Sequence, residues 1–370
     1  MLACLLAPAS SRAQNAYITN ASSATVSVID TTMDAVIATI PVGLAPEGVA
    51  VSPDGSKVYV ANVGVSTVSV IDTATNTVSA TIPLSLSSSP TGVAVSPDSS
   101  KVYVKNAVFG TVSVIDTATN TVSATITIGS VAFGFGVAVS PDGSKLYVTN
   151  SVFDTVSVID TATNTVSATI PIALNPNGMA VSPDGSKVYV TNSVSINGTV
   201  SVIDTATNTV SATIPVGDDP VGVAVSPDGS KVYVTNTNSV SINGAVSVID
   251  TATNTVSTTI PVGNVPVGVA VSPDGSKVYV ANSSSNTVSV INTATNTVSA
   301  TIPVGSEPFA FGIFILPAPR FAGVAGSSNC HGTSVSALAT KFGDLDAAAA
   351  ALSFPTVQGL QDAISAFCEG

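Results

Sequence analysis

The side chains best able to do chemistry in this sequence recur at a few fixed positions. Six aspartates sit in Ser-Pro-Asp triplets (Asp54, Asp98, Asp142, Asp184, Asp228 and Asp274), each with a lysine three residues on. Six more end Val-Ile-Asp triplets (Asp30, Asp72, Asp116, Asp160, Asp204 and Asp250), with Asn292 in the seventh place. Carboxylates in register suggest calcium or proton transfer. Calcium, however, takes about six to eight oxygen ligands, and the neighbours of these aspartates are hydroxyls. The Val-Ile-Asp set is therefore expected to stabilise turns. The Ser-Pro-Asp set is expected to pair with its lysines as solvated ion pairs worth roughly a few tenths of a kcal/mol. The one histidine, His331, follows Cys330. With Cys368 these make too few ligands for a closed zinc site, and the upstream cysteine of a haem-attachment motif is missing. Histidine general-base or His–Ser chemistry has no residue to use elsewhere. The expectation is no catalytic residue, no metal and no cofactor.

The elements around these positions are repeats. Tetrads led by Tyr17, Tyr59, Tyr103, Tyr147, Tyr189, Tyr233 and Tyr279 use all seven tyrosines, at spacings of 42, 44, 44, 42, 44 and 46. Each unit reads Gly-Val-Ala-Val, Ser-Pro-Asp-Gly-Ser-Lys, Val-Tyr-Val-Thr-Asn, Thr-Val-Ser-Val-Ile-Asp and Thr-Val-Ser-Ala-Thr-Ile-Pro, with small variations. The β-branched, alternating runs separated by turn residues predict four short strands, a to d, per unit. Four strands in about 40 residues is the size of a propeller blade. Proline ends strand d at Pro41, Pro83, Pro171, Pro215, Pro261 and Pro303; it cannot donate to a ladder, so d is expected outermost and a innermost. Ser99 replaces the a–b turn glycine of one unit, a strained choice by roughly 1 kcal/mol. The first tetrad has no strand a before it. Glu307–Ile313, aligned with Asp219–Val225, is expected to supply it. The predicted fold is an all-β, seven-bladed propeller of four-stranded blades over residues 14–317, closed one-plus-three by that C-terminal inner strand.

The Tyr-Val-Thr-Asn tetrads and the Val-Ile-Asp-Thr-Ala-Thr-Asn-Thr-Val segments resemble the YVTN family of β-propeller repeats, over about residues 15 to 316. The resemblance implies a propeller of the secreted or surface-layer type more than it implies a reaction. Related seven-bladed propellers include lactonases and redox enzymes, so a hydrolase or redox enzyme is the alternative reading.

Composition narrows the classes further. Of 370 residues 45% are hydrophobic and only 9% charged, and the net charge is −12. Nucleic-acid binding needs clustered Lys and Arg, and only 10 basic residues are present. No uninterrupted apolar run is long enough to span a bilayer. Residues 1–13 read as a signal peptide, with small residues before Gln14, which points to an exported protein in the periplasm, outside the cell or on its surface. With Cys4 removed, Cys330 and Cys368 form one even pair, as expected of a disulfide in an oxidising compartment. Apolar stripes at helical spacing predict a small helical tail over 318–370.

Every length change falls on the loops of one rim. Two residues are added between Ile82 and Gly92 and two between Ile126 and Gly136, while b–c loops gain two at 193–198 and four at 237–244. The same rim collects Phe109, Phe133, Phe135 and Phe153, with acidic residues including Asp218 and Asp219. Variation on one face of a rigid scaffold points to binding. The expected function is a non-catalytic scaffold that uses this rim to bind a protein or glycan.

Overall fold

The computed structural model describes residues 14–129, 134–237, 244–316 and 356–369, together with positions 338, 345, 348 and 349. The repeats fold into seven antiparallel sheets, and in each one the hydrogen-bonded order of strands follows the chain. Blade 2 is representative, with strand a at Pro46–Val51, b at Lys57–Asn62, c at Thr67–Asp72 and d at Thr77–Pro83. Blade 1 opens directly on its b strand, Asn15–Asn20. The inner strands of blades 3 to 7 begin at Pro90, Val137, Pro176, Pro220 and Pro266.

Burial follows from this radial order. Strand b is buried on both faces, so it can be apolar throughout. Its alternate residues serve the gaps on either side: Val58 and Val60 pack with blade 1, while Tyr59 and Ala61 pack with blade 3. Strand d faces solvent, and of its side chains the isoleucine before the proline, as in Ile82 and Ile214, is buried. Each proline ends its ladder, opposite the first residue of strand c, as in Thr67 opposite Pro83. A bulge between Val70 and Ile71 recurs at the equivalent place in all seven blades, adding twist along the c–d pair. Ser99 takes φ +60° where the equivalent Gly143 takes +76°.

At the axis the inner strands come so close that no side chain fits between them. A Cβ on Gly48 would lie 2.1 Å from the Thr91 carbonyl oxygen, and one on Gly222 2.2 Å from that of Val267. The same relation joins Gly92 to Phe135, Gly136 to Asn177, Gly178 to Val221, Gly268 to Phe309 and Ala310, and Gly312 to Val49. A glycine therefore stands at each of the seven blade junctions.

Closure occurs where expected, but with a different register. Pro308 lies opposite Asn20, as Pro220 lies opposite Asn236. At the other end Ala16 is opposite Ile315 and not Ile313, so the regular alignment through Ile313 fails. The extra residues bulge where Ala310 (φ +49°) and Gly312 (φ +116°) turn the chain. The Phe311 and Ile313 carbonyls then accept from the amides of Val49 and Val51, at 2.8 Å each. The closing segment is thereby tied to blade 2 as well as to blade 1.

The ion pairs also correct the sequence reading. Lys57, Lys101, Lys145, Lys187 and Lys231 pair with the Val-Ile-Asp carboxylates, as in Lys57 with Asp72 at 2.6 Å. The reason is register: Lys57 and Asp72 are direct cross-strand partners. The Ser-Pro-Asp carboxylates turn back on their own loops, where Asp98 accepts from the Ser96 and Ser100 hydroxyls. At the seam Asn292 replaces the aspartate, and Lys277 reaches Asp34 of blade 1 at 2.8 Å. Asp34 holds the left-handed turn position that Asn76 fills in blade 2. One charge has moved from within a blade to between blades, at the junction where the chain's ends meet.

In the tail, helix α1 spans Val357–Glu369, and Thr356 Oγ1 caps it by accepting from the Gly359 amide. Leu360 and Ile364 are buried with Leu338, Ala348 and Ala349.

Two outcomes are expected. Gly222→Ala lowers stability by about 1–3 kcal/mol through forced separation of blades 6 and 7, read by chemical denaturation. Asp34→Asn lowers it by about 1 kcal/mol, and adding Asn292→Asp recovers most of that by giving Lys277 back a cross-strand partner. Losses that simply add in the double variant would contradict the transposed pair.

Candidate functional site

Many of the polar groups in the tetrads are committed to bonds within or between blades. Tyr17 Oη donates to Asn76 Oδ1 of the next blade at 3.0 Å, and burial pushes its pKa up to about 12, so the phenol keeps its proton. Thr235 Oγ1 accepts from the Gly222 amide and donates to the Val267 carbonyl, at 2.7 and 2.8 Å. Thr19 makes the same bridge between Ala310 and Glu47. Asn62 Nδ2 donates to Thr67 and Ser69 of its own blade. The Val-Ile-Asp carboxylates accept turn amides, as Asp72 does from Ala74 and Thr75. Chemistry or recognition falls instead to positions where a unit departs from its siblings.

Several of those departures gather at the rim end of the hub. Lys105 stands where four other tetrads have threonine. It is fully buried, and its Nζ donates to Thr149 Oγ1 at 3.2 Å. Burial brings its pKa down from 10.5 to about 7. The next inner strand carries Gly134-Phe135 where its siblings have proline followed by Glu, Thr, Asn or Val, or by Phe309 in the closing segment. Phe135 stacks on Phe311 of the closing segment, with ring centroids 3.8 Å apart and planes 10° apart. Phe309 lies tilted against both, at 6.3 and 6.0 Å. Since Phe135 belongs to blade 4 and Phe311 to blade 1, the pair reaches across the hub. Glu47, at the start of blade 2's inner strand, has its pKa raised to about 7 by burial. Below the stacked rings lies a cavity of about 470 Å³ walled by Val, Ala, Gly, Met, Pro and other inner-strand residues.

Outside the hub, the same rim exposes apolar side chains among the described residues. Phe109 and Phe153, on the b–c loops of blades 3 and 4, are 44% and 54% exposed. Leu44, Leu86, Leu174 and Ile196, on d–a or b–c loops of the same rim, are exposed as well. Asp218 Oδ1 accepts from the Asn197 amide, and the Asp219 amide donates to the Val194 carbonyl, so both hold the inserted b–c loop of blade 5 in place. Phe109, Phe153, Asp218 and Asp219 are thus brought to one rim, while the Phe135 ring turns into the hub. Phe133, Cys330, the Cys368 side chain and the expected signal peptide lie outside the described residues. Among the described residues no group of three His, Cys, Asp or Glu is placed to hold a metal, and no helix is long and apolar enough to cross a membrane. Lys105 was visible in the sequence as the odd letter of its tetrad. The Phe135–Phe311 stack was not, because it depends on the bulge in the closing strand.

Comparison with known proteins agrees with the fold. Residues 80–198 and 128–243 match the family described as YNCE-like beta-propeller. No curated protein matches in sequence. A hydrazine synthase of Kuenenia stuttgartiensis is similar in structure at 24% identity, with a TM-score of 0.66 over 72% of this chain and 88% of that one. A functionally unknown protein from Desulfotomaculum acetoxidans gives 20% identity and a TM-score of 0.67, over 82% and 99% of the two chains. The dihydro-heme d1 dehydrogenase NirN gives 16% and 0.60, over 80% and 74%. At these identities the likeness is one of fold.

Lys105→Thr is expected to stabilise the protein at pH 7 by on the order of 2 kcal/mol, after allowing for the smaller side chain. The folded-state pKa of Lys105, about 7, lies below its unfolded value, so the unfolded chain binds more protons between the two. Stability of the parent therefore rises with pH across that window. The variant's advantage should be full at pH 7 and largely gone by about pH 10.5, as read by thermal denaturation at both.

Proposed function

We propose that this seven-bladed β-propeller, whose residues 80–243 match the YNCE-like beta-propeller family, is an exported, non-catalytic scaffold that binds a protein partner through its b–c and d–a rim. The observation that carries the reading is the set of exposed apolar side chains on the loops of that rim, with Phe109 and Phe153 on adjacent blades. Exposed apolar groups gathered on one face mark a docking surface, and aromatic anchors dominate binding energy in such contacts. The scaffold beneath them is stiff, since junction glycines, threonine bridges and sheet ladders fix each loop's base. The tyrosine, threonine and asparagine side chains of the repeats support this role by acting within and between blades.

The test is capture from an envelope fraction by purified full chain and by two variants. Phe109→Ser with Phe153→Ser is expected to weaken capture of the specific partner by about tenfold or more. Met33→Ser, at an exposed apolar residue on the opposite rim, is expected to leave it unchanged. Equal capture by all three proteins would contradict the assignment of the rim. Export is read separately: N-terminal sequencing of the mature product is expected to begin at Gln14.

A further inference from the structure

The hub cavity has two unlike ends. At the rim end, the stacked rings of Phe135 and Phe311 lie across it. At the other, Pro53, Pro97, Pro141 and Pro183 form its lip. These prolines belong to the Ser-Pro-Asp turns, which pack side by side around the opening. Gly143 sits against Pro97, Gly185 against Pro141, Gly229 against Pro183 and Gly275 against Pro227, while the Asp54 amide donates to Ser99 Oγ at 3.2 Å. Four of the six turns thus reach the cavity through their prolines, and in each an aspartate directly follows the proline.

This collar is anionic. Ser140 and Ser144 hold the Asp142 carboxyl down to about 2, and equivalent serines do the same for Asp184 and Asp228. The lysines that begin the neighbouring b strands pair with aspartates at the ends of strand c or, at the seam, with Asp34. Between collar and rings the wall is aliphatic and incompletely covered. Val95, Ala138, Val139, Met179 and Val225 all keep some exposure, and Ile313 is 72% exposed. An apolar shaft of this kind is the usual form of a small-molecule site. Its volume of about 470 Å³ equals roughly 15 molecules of bulk water, more than an aliphatic chain of about ten carbons fills.

We propose that the hub cavity binds a single-chain cationic amphiphile, with its aliphatic tail in the shaft below the Phe135–Phe311 stack and its ammonium-type head in the Ser-Pro-Asp collar. The apolar wall selects for a tail, and the collar selects the sign of the head, because a fatty carboxylate would meet like charge at the mouth. This site is separate from the outer rim and does not depend on what the rim binds.

The probes are alkyltrimethylammonium ions with tails of six, eight and ten carbons, all within the shaft's capacity, with decanoate and tetramethylammonium as controls. All are used below their micelle concentrations, with full-length protein and calorimetric detection. The expected result is one equivalent bound, affinity rising about fourfold per added methylene, weaker binding at high salt, and at least about tenfold weaker binding of decanoate. Ala138→Phe, which fills the shaft, should abolish binding while circular dichroism reports an intact propeller. Should that variant not fold, Asp142→Asn with Asp184→Asn and Asp228→Asn should narrow the gap between the ten-carbon cation and decanoate. Val122→Ser, on the outer strand of blade 3, should leave binding intact. Decanoate binding as tightly as the cation, affinity independent of tail length, or unchanged selectivity in the aspartate variant would each overturn the proposal.

Discussion

Where the inner strands meet around the axis, the carbonyl oxygen of each blade sits where a side chain of the preceding blade would be. That contact, made seven times by Gly48, Gly92, Gly136, Gly178, Gly222, Gly268 and Gly312, sets the radius of the ring. It also explains much of the repetition in the sequence. Each unit must bring its strands b and c to the same distance from the axis, so each needs the same apolar residues in the gap between sheets. Threonine bridges add a directional tie at several junctions, running from a b strand to the inner strand of the next blade. With backbone packed on backbone there is little room for a hinge at the centre, and variation is displaced to the loops.

Much of this could be read from the residues. Strand count, radial order and the closing role of the C-terminal segment follow from the tyrosine spacing, the prolines of strand d and the missing first inner strand. What could not be read depends on direction. Lys57 lies near both Asp54 and Asp72, and only strand pairing places it opposite Asp72. Sequence proximity favoured the wrong partner because a tight turn points its own carboxylate back at serine hydroxyls. The closing strand misled for a related reason. Its match to Asp219–Val225 holds at Pro308, but Ala310 and Gly312 allow a bulge that an alignment of residue types does not reveal.

The candidate site was legible in part. Phe109 and Phe153 were identifiable from composition and loop position, and their exposure suits a docking role. Phe135 belongs to the same sequence neighbourhood, yet its ring stacks with Phe311 in the hub. Which way it faces is decided by a residue some 176 positions later in the chain. Lys105 is conspicuous as a letter, but its burial follows from the shared depth of that tetrad position in every blade. The outcome is a hub with an aromatic floor at the rim end and acidic turns at the opposite end, on a body whose polar groups are largely committed to structure.

The seam between blades 7 and 1 has a consequence in time. Strand Asn15–Asn20 is made early, but the segment that completes its sheet, through Phe314 and Ile315, is made some 300 residues later. At a synthesis rate of about 5–20 residues per second, the strand waits roughly 15–60 s for its partner. Throughout that interval one edge of the nascent protein is an open template for any extended peptide. The Lys277–Asp34 pair belongs to the same late event, so the circle is fastened by contacts between segments far apart in the chain.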